Sequence, residues 1–327
     1  MTRRVLITGG AGFIGSHLAE RLLADGHHVT VVDDESTGTS ANLATIRGHE
    51  RFQFVSGTVS DAHLVAELLE SANDVYHLAA AVGVALIAKH PIETIERNIY
   101  PTLLLLNELK NQHQRGRDVR FFLASTSEVY GKNPKETWTE EDDLVLGATT
   151  RPRWAYGASK AIDEFLTLAH WRESKLPVIV GRFFNVVGPR QTGAYGMVLP
   201  RFVTAAVAGD PIIVHDDGEQ IRCFAHVADV VRFVVELVES PDAIGQVVNI
   251  GSAEPVSIRE LAERVIELAG STSVIQFQSY ADAYDKDFED VRRRIPDVGK
   301  LEKLVNHRPE YKLADIIREL IPIQREA

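Results

Sequence analysis

The chain has 327 residues, 45% of them hydrophobic and 25% charged, which is the composition of an ordinary globular protein and excludes a disordered one. Its formal net charge of -11, without any basic run, argues against binding to nucleic acid through phosphate contacts. A single cysteine, Cys223, excludes an internal disulfide framework, and 12 scattered histidines without HxxxH spacing predict no metal site.

In the first 180 residues, short apolar runs alternate with longer segments of helical periodicity. The runs predict buried strands at 4–8, 29–33, 52–56, 74–78, 120–124 and 177–182. The longer segments predict helices at 13–25, 61–70, 91–115 and 153–174. Because alternating strands and helices are joined by right-handed crossovers, we expect an α/β fold with a doubly wound parallel sheet.

After about residue 180 this alternation breaks, and a smaller second region is predicted. A helix is expected near 197–208, and residues 247–265 have the pattern of a strand, a loop and a helix. We predict a dinucleotide-binding domain at 1–180 and a mainly substrate-binding region at 181–327, with segments near 226–265 that return to the first domain. The two parts should pack around one cleft.

The amino-terminal stretch MTRRVLITGGAGFIGSHL combines two arginines with apolar residues, but glycines interrupt it and no small-residue cleavage site follows. We interpret it as a buried strand. No uninterrupted apolar run reaches the roughly 18 residues of a membrane span. Because the single cysteine also fits a reducing compartment, we predict a cytoplasmic protein without a membrane span.

The first strand leads into the glycine-rich segment TGGAGFIG, which places Gly9, Gly12 and Gly15 directly before a helix. Glycines at these positions let backbone amides approach a pyrophosphate at the helix N-terminus, as in a Rossmann-type sheet. Asp33 and Asp34 end the second strand, where a carboxylate binds ribose hydroxyls and repels a 2′-phosphate. This predicts NAD rather than NADP as cofactor; the alternative is a tight turn with two solvated aspartates.

Five further side chains in the first half have two possible interpretations. Asp61 would contact the adenine ring or cap the helix that follows it. In the segment LASTSEVYG, the hydroxyls of residues 125–127 and the carboxylate of Glu128 follow a buried strand. They form either an exposed strand end or the acid/base groups of an enzyme; for Glu128, the alternative to catalysis is a carboxylate that caps a turn.

Tyr156 and Lys160 stand four residues apart in the predicted helix RWAYGASKAIDEFL, so both side chains lie on one face. An ammonium beside a phenol stabilises the phenolate and lowers the pKa of the tyrosine. Such a tyrosine acts as a base near neutral pH. Alone, a Tyr/Lys pair at this spacing is usually an ordinary helix surface, but here it occurs together with the glycine loop and the hydroxyl cluster.

Six motifs together resemble the extended short-chain dehydrogenase/reductase family, in its branch of NAD-dependent nucleotide-sugar epimerases, dehydratases and decarboxylases. They cover nearly the whole chain: TGGAGFIG, HLAA, STSEVYG, YGASK, RFFNVVGPR and RCFAHVADVV. The resemblance implies that NAD oxidises the C4 hydroxyl of a sugar and later returns the hydride. It makes Tyr156 the base and Lys160 the ligand of the nicotinamide ribose, and gives Thr126 the role of assisting proton transfer.

The resemblance also assigns residues to cofactor and substrate. The implied NAD contacts are Gly9, Gly12, Phe13, Ile14, Gly15, Asp33, Asp61, Ala79, Tyr156 and Lys160. Asn185 and Arg222 would bind the nucleotide diphosphate, and Arg190 is expected at the substrate. Alternatively, Asn185 supports a loop and Arg222 pairs with Asp216 or Asp217. The arginines at 292–294 would lie near the nucleoside ribose or form a solvated basic turn.

Two positions depart from the family pattern. Relatives commonly have an aspartate at the position of Thr58, before the adenine-contacting position, and a glycine at the position of Pro101, where proline affects helix geometry more than chemistry.

The residues after Thr126 select among reactions of a 4-keto sugar. Dehydratases of this type use an adjacent Asp-Glu pair, whereas this chain has Ser127 and Glu128. That pair resembles the TSE signature of UDP-glucuronate decarboxylases. A tryptophan shortly before the tyrosine, here Trp154, resembles the sequences of the bacterial branch of those enzymes. Ser127 would then bind near C6, and Glu128 would position a water or assist proton transfer.

The predicted function is therefore decarboxylation of UDP-glucuronate to a UDP-pentose. The alternative is a UDP-hexose or UDP-uronate 4-epimerase, and a less favoured one is a non-catalytic NAD-sensing regulator, which would usually have lost the Tyr/Lys pair. The resemblance also implies a homodimer built from the helices near 91–115 and 153–174. Its interface would include Leu103, Leu106, Phe165 and Leu168, unless these residues belong to the core.

Overall fold

The computed structural model describes residues 1–81, 90–193, 197–283 and 289–326. Its strands are, in chain order, β1 (Arg4–Thr8), β2 (His28–Asp33), β3 (Phe52–Ser56), β4 (Asp74–His77), β5 (Arg120–Thr126), β6 (Val178–Phe183), β7 (Val186–Val187), β8 (Ile212–His215), β9 (Ile221–Cys223), β10 (Ala225–His226), β11 (Val247–Ile250), β12 (Pro255–Ser257), β13 (Ile275–Gln278) and β14 (Arg293–Arg294). Its α-helices are α1 (Phe13–Ala24), α2 (Ala62–Leu69), α3 (Pro91–Gln114), α4 (Ala155–Ser174), α5 (Val198–Ala208), α6 (Val227–Glu239), α7 (Ile258–Ala269), α8 (Tyr280–Ala283), α9 (Gly299–Val305) and α10 (Leu313–Glu326).

The main sheet has seven strands in the order β11-β6-β5-β4-β1-β2-β3, and all neighbouring pairs are parallel. The order reverses beside β1, which is the topology of a doubly wound Rossmann-type sheet. The fold class predicted from the sequence is confirmed. All six predicted strands are present, and β11 is a seventh at the edge next to β6.

Both faces of the sheet are buried, because successive residues of a strand point to opposite sides. Ile7 and Phe122 pack in the core beneath α1 and α6, whereas Leu6 and Phe121 pack in the core beneath α2 and α3. All four side chains are at most 2% exposed. This burial explains why the strands appear in the sequence as nearly continuous apolar runs.

The second region has its own core, formed where α5, α7 and α10 pack together beside β8. Two small sheets belong to this region: β13 pairs with β8, and β9 lies between β12 and β14. The chain also returns to the first 180 residues, since α6 packs on α1 and β11 pairs with β6. Within the described ranges, none of the helices has the length and apolar character needed to cross a membrane.

Candidate active site

One cleft of about 850 Å³ lies at the carboxyl ends of the central strands and extends to the second region. In an open parallel sheet, ligands bind in the crevice at this edge. The cleft is lined by the glycine loop, by the ends of β2 and β5, by Tyr156 on α4, and by residues of β9 and β14. The topology therefore brings most of the predicted cofactor and catalytic residues into one continuous space, although Asp61 and Lys160 are not among the residues that line it.

The glycine loop has the shape of a pyrophosphate site. Gly9 has φ +70°, and a Cβ on Gly15 would lie 2.4 Å from the carbonyl oxygen of Gly9. Gly12 precedes α1 and no side chain caps this helix terminus. The first amides of α1 are consequently available to an anion, and the loop passes close to the helix because glycine leaves the space free. Phe13, Ile14 and Ala79 line the same cleft.

The carboxylate of Asp33 supports the glycine loop from the end of β2. Its Oδ2 accepts a hydrogen bond from the Ala11 amide at 2.9 Å, and its Oδ1 accepts one from the Glu35 amide at 2.8 Å. Burial raises the pKa of Asp33, and these two hydrogen bonds oppose the shift. Each carboxylate oxygen keeps a further lone pair, so Asp33 fits the ribose hydroxyls while it holds the loop.

Asp61 caps a helix, which was one of its two interpretations. Its Oδ1 accepts hydrogen bonds from the amides of His63 and Leu64 at 2.9 and 3.2 Å, at the start of α2. The residues that line the cleft in this loop are those immediately before it, at 58–60. An adenine contact from Asp61 stays a prediction from the resemblance.

Tyr156 lies on the first turn of α4, and its phenol faces the end of β5. Burial raises the pKa of Tyr156, the negative charge of Glu128 raises it further, and a hydrogen bond with Thr126 lowers it. The net shift is upward. The hydroxyl of Thr126 also accepts a hydrogen bond from the Glu128 amide at 3.2 Å, which caps the turn after β5. Thr126 therefore joins the strand end to the phenol.

The lowered pKa expected for Tyr156 from its neighbour Lys160 is not found in this structure. The Lys160 ammonium forms an ion pair with Asp163, with 2.9 Å between Nζ and Oδ2. Both side chains are buried, at 1% and 0% exposure. The spacing of Tyr156 and Lys160 indicated their shared helix face correctly, but it carried no information about burial of the phenol or about the buried carboxylate that offsets the ammonium.

Glu128 is held between two arginines. Its Oε2 lies 2.6 Å from Nη1 of Arg153, and its Oε1 lies 2.7 Å from Nη2 of Arg294. Burial alone would raise the pKa of Glu128, but the charges of Arg294 and Arg153 outweigh burial and hold the pKa well below its ordinary value. Because Thr126 caps the following turn, the capping alternative does not describe Glu128, whose carboxylate pairs with two arginines in the cleft.

The other two hydroxyls of the cluster differ in their surroundings. Ser125 donates a hydrogen bond to Glu164, which in turn pairs with Arg182 at 2.7 Å. Ser127 is 2% exposed and lines the cleft beside Glu128. Among the contacts of the described residues, Thr126 is the one hydroxyl of the three that forms a hydrogen bond with Tyr156.

The three residues predicted at the substrate, Asn185, Arg190 and Arg222, all line the cleft and also contact protein groups. Asn185 donates to the Cys223 carbonyl at 2.9 Å. Arg190 lies 2.6 Å from Glu20 on the glycine-loop helix α1. This last contact joins the substrate region to α1.

Arg222 pairs with Asp290, through two hydrogen bonds of 3.1 and 3.0 Å. The sequence-based alternative, a pair of Arg222 with Asp216 or Asp217, is wrong. Asp217 instead accepts two hydrogen bonds from Arg292. Asp290 also accepts a hydrogen bond from the Tyr280 hydroxyl at 2.7 Å.

Two arginines of this site were missed as site residues. Arg294 was grouped with Arg292 and Arg293, yet it alone of the three lines the cleft; Arg293 pairs with Glu136. Parallel pairing of β14 with β9 brings Arg294 beside Arg222. Arg153 precedes Tyr156 by three residues, a separation of about one helical turn. This spacing is the local signal in the sequence that could have identified Arg153.

A family model described as GDP-mannose 4,6 dehydratase matches residues 6–320. Among curated proteins, UDP-N-acetyl-alpha-D-glucosaminuronate decarboxylase of Bacillus cytotoxicus is 38% identical over 328 residues, covering 100% of this chain and 99% of that protein. UDP-glucuronic acid decarboxylase 1 of Xenopus tropicalis is 34% identical over 319 residues, covering 98% and 71%. Among solved structures, UDP-glucuronic acid 4-epimerase from Bacillus cereus, in complex with UDP-glucuronic acid and NAD, has a TM-score of 0.87 at 27% identity, with 99% of each chain covered.

Proposed function

This chain belongs to the family described as GDP-mannose 4,6 dehydratase, within the extended short-chain dehydrogenase/reductases, and from that membership we propose that it decarboxylates a UDP-linked uronic acid with NAD as cofactor. It is an enzyme, since its relatives are named decarboxylases and epimerases and its Tyr156/Lys160 pair is intact. The regulatory alternative has no comparable support.

The observation that carries this proposal is the position of Glu128, near Tyr156 and between Arg153 and Arg294. A 4,6-dehydratase must protonate a leaving hydroxyl, but a carboxylate between Arg153 and Arg294 has no proton to give near neutral pH. Decarboxylation needs no acid at the leaving group, because carbon dioxide departs as a neutral molecule. The site therefore suits loss of a carboxylate better than loss of water.

In this proposal, one group of residues binds the cofactor and another carries out proton transfer. The amides of the glycine loop and the carboxylate of Asp33 would hold NAD, which when bound supplies a reversible hydride acceptor for sugar C4. Tyr156 takes the proton of the C4 hydroxyl and later returns it to the C4 oxygen. Thr126 fixes the phenol by its hydrogen bond, and Lys160 would bind the nicotinamide ribose.

With a ketone at C4, the bond between C5 and the carboxylate carbon lies beta to that ketone. When this bond breaks, carbon dioxide leaves and the electron pair passes into the enolate of C4 and C5. A proton must then reach C5, and we assign its delivery to a water held by Glu128. Ser127 lies beside Glu128 and would hydrogen-bond the substrate near C6.

Charge in the cleft also favours an anionic substrate. Arg153, Arg222 and Arg294 line it together with two carboxylates, Glu128 and Asp290, so that the cations exceed the anions in this group. Arginine suits phosphate and carboxylate oxygens because its planar fork donates two parallel hydrogen bonds. A UDP-uronate brings both kinds of anion, and its binding would require Arg222 to share its hydrogen bonds with Asp290.

The test is incubation of the NAD-loaded enzyme with UDP-glucuronate, UDP-N-acetylglucosaminuronate or UDP-glucose, followed by mass spectrometry. Loss of carbon dioxide from either uronate is the expected result. Tyr156→Phe is the control and should abolish the change. A product of unchanged mass from both uronates would contradict decarboxylation.

A UDP-sugar 4-epimerase is the second candidate, and it is favoured by the full-length likeness to the UDP-glucuronic acid 4-epimerase. An epimerase needs room for the keto sugar to rotate, whereas it has no use for a carboxylate at position 128. Proton NMR of the product at C4 distinguishes the two: an inverted C4 centre with retained mass identifies the epimerase.

We propose a homodimer through α3 and α4, which pack against each other and each expose large apolar side chains. These exposed side chains are Ile92, Ile95, Tyr100, Ile162 and Phe165. Of the residues expected at the interface, Phe165 is 65% exposed, but Leu106 is fully buried and belongs to the core. A cytoplasmic location is also proposed, on the basis of one buried cysteine without a disulfide partner.

A further inference from the structure

Asp163 and Lys160 form a buried ion pair one turn apart on α4. The ammonium Nζ lies 2.9 Å from Oδ2 of Asp163, and the two residues are 1% and 0% exposed. An isolated charge at either position would be costly, because both groups have left water. The pair is therefore a neutral unit, built into the inner face of the helix that carries Tyr156.

In the part of the chain that the structure describes, the groups around this pair add no second countercharge for Lys160. Burial and the nearby Lys160 ammonium lower the pKa of His77, on β4, to about 3, so this imidazole is neutral. Its Nε2 lies 3.2 Å from the hydroxyl of Thr102 on α3, which donates to the Asn98 carbonyl at 3.0 Å. Glu164, the next residue of α4, is engaged with Arg182. Among these neighbours, Asp163 is the carboxylate that binds the ammonium.

We propose that Asp163 is a positioning residue for the catalytic pair: it fixes the Lys160 ammonium on the inner face of α4 and neutralises the charge that would otherwise act on Tyr156. An ammonium has three donors, so one bond to Asp163 leaves two for ribose hydroxyls. The carboxylate thus orients Lys160 and leaves two donors of its ammonium for other hydrogen bonds. This inference rests on the proposed function, because it takes Tyr156 and Lys160 as the catalytic pair.

The charges that face the Tyr156 phenol come from three elements. Glu128, after β5, raises the pKa of the phenol, and Asp163, on its own helix, raises it as well. Arg294, on β14, lowers the pKa, and so does the hydrogen bond with Thr126. Glu128 is already paired with two arginines. Asp163 is instead paired with Lys160, the cation that is expected to activate Tyr156.

The experiment measures ionisation at position 156 directly and needs no turnover. Replacing Tyr156 by 3,5-difluorotyrosine, which ionises at lower pH than tyrosine, gives a fluorine NMR signal that reports its midpoint in the NAD-loaded enzyme. In Asp163→Asn the side chain keeps its shape and loses its charge, so the midpoint should fall by about one pH unit. Lys160→Met should raise it by a similar amount, and the double variant should return it close to the starting value.

A matched control is Glu164→Gln, which removes another buried carboxylate of α4 whose charge is paired with Arg182. Its midpoint should stay unchanged. An unaltered midpoint in Asp163→Asn, or single shifts that do not cancel in the double variant, would overturn the inference. The titration can be measured even if no nucleotide sugar is turned over. Failure of the proposed function can therefore be distinguished from failure of this inference. If turnover is seen, the acidic limb of the kcat profile should move to lower pH in Asp163→Asn.

Discussion

Glu128 and Arg294 face each other across the cleft, with 2.7 Å between Oε1 and Nη2, although one follows the fifth strand and the other lies near the end of the chain. Their contact joins the first 180 residues to the second region inside the cleft. It also explains why Glu128 stays ionised when buried, since burial without a partner would protonate it. The chemistry proposed for Glu128 therefore depends on residues of both regions.

We expect Glu128→Gln to lower kcat for uronate decarboxylation by about 100-fold, because proton delivery to C5 loses its carboxylate. Oxidation at C4 should persist, since Tyr156 and Thr126 are unchanged. The measurement is carbon dioxide release together with the absorbance of the reduced nicotinamide. Glu141→Gln, an exposed carboxylate, is the control. Full activity in Glu128→Gln would contradict the role assigned here.

Gly15→Ala should weaken NAD binding by about tenfold or more, which corresponds to about 1.4 kcal/mol. The added Cβ would lie 2.4 Å from the Gly9 carbonyl oxygen, so the loop must move away from the helix. Calorimetric titration with NAD measures this. Gly48→Ala is the control, because nothing lies within 4 Å of its Cβ position. Equal affinity in both variants would show that the loop does not hold the pyrophosphate.

The buried pair of Glu164 and Arg182 should be important for stability. Removing one partner, as in Glu164→Gln, leaves a buried guanidinium without its countercharge and should cost roughly 3 kcal/mol in the free energy of unfolding. The double variant Glu164→Leu/Arg182→Met should cost less than either Glu164→Leu or Arg182→Met alone. Urea unfolding of the wild type, these two single variants and the double variant tests this, and additive losses would argue against a coupled pair.

Phe165→Asp should convert a dimer into a monomer if α3 and α4 form the interface. Phe165 is 65% exposed in the single chain, and an aspartate there would have to be buried unpaired in the dimer. Sedimentation velocity measures the change. Phe277→Asp, at another aromatic residue that is 53% exposed, should leave the oligomeric state unchanged. The opposite pattern would place the interface elsewhere.

The sequence predicted the parts of this site that depend on local pattern. Strand ends and glycines located the glycine loop that lines the cleft, and the four-residue spacing placed Tyr156 and Lys160 on one face of a helix. It did not distinguish Arg294 from Arg292 and Arg293, because pairing of β14 with β9 is a long-range contact with no local signal. Nor did it indicate that Asp163 binds Lys160, because a carboxylate three residues away is equally compatible with an exposed helix face.

Stability at acid pH should report the ion pairs of Glu128. The folded pKa of Glu128 is depressed from its ordinary value of 4.5, so its contribution is fully present above that value and is lost as the pH falls through the folded pKa. Below pH 4.5 the unfolded chain takes up the proton first, which lowers the free energy of unfolding by up to about 1.4 kcal/mol per pH unit for this group. Glu128→Gln lacks the titrating group, so the difference in unfolding free energy between wild type and variant should shrink between pH 5 and pH 3. Urea unfolding at both pH values measures it, and a constant difference would mean that Glu128 is not held ionised by Arg153 and Arg294.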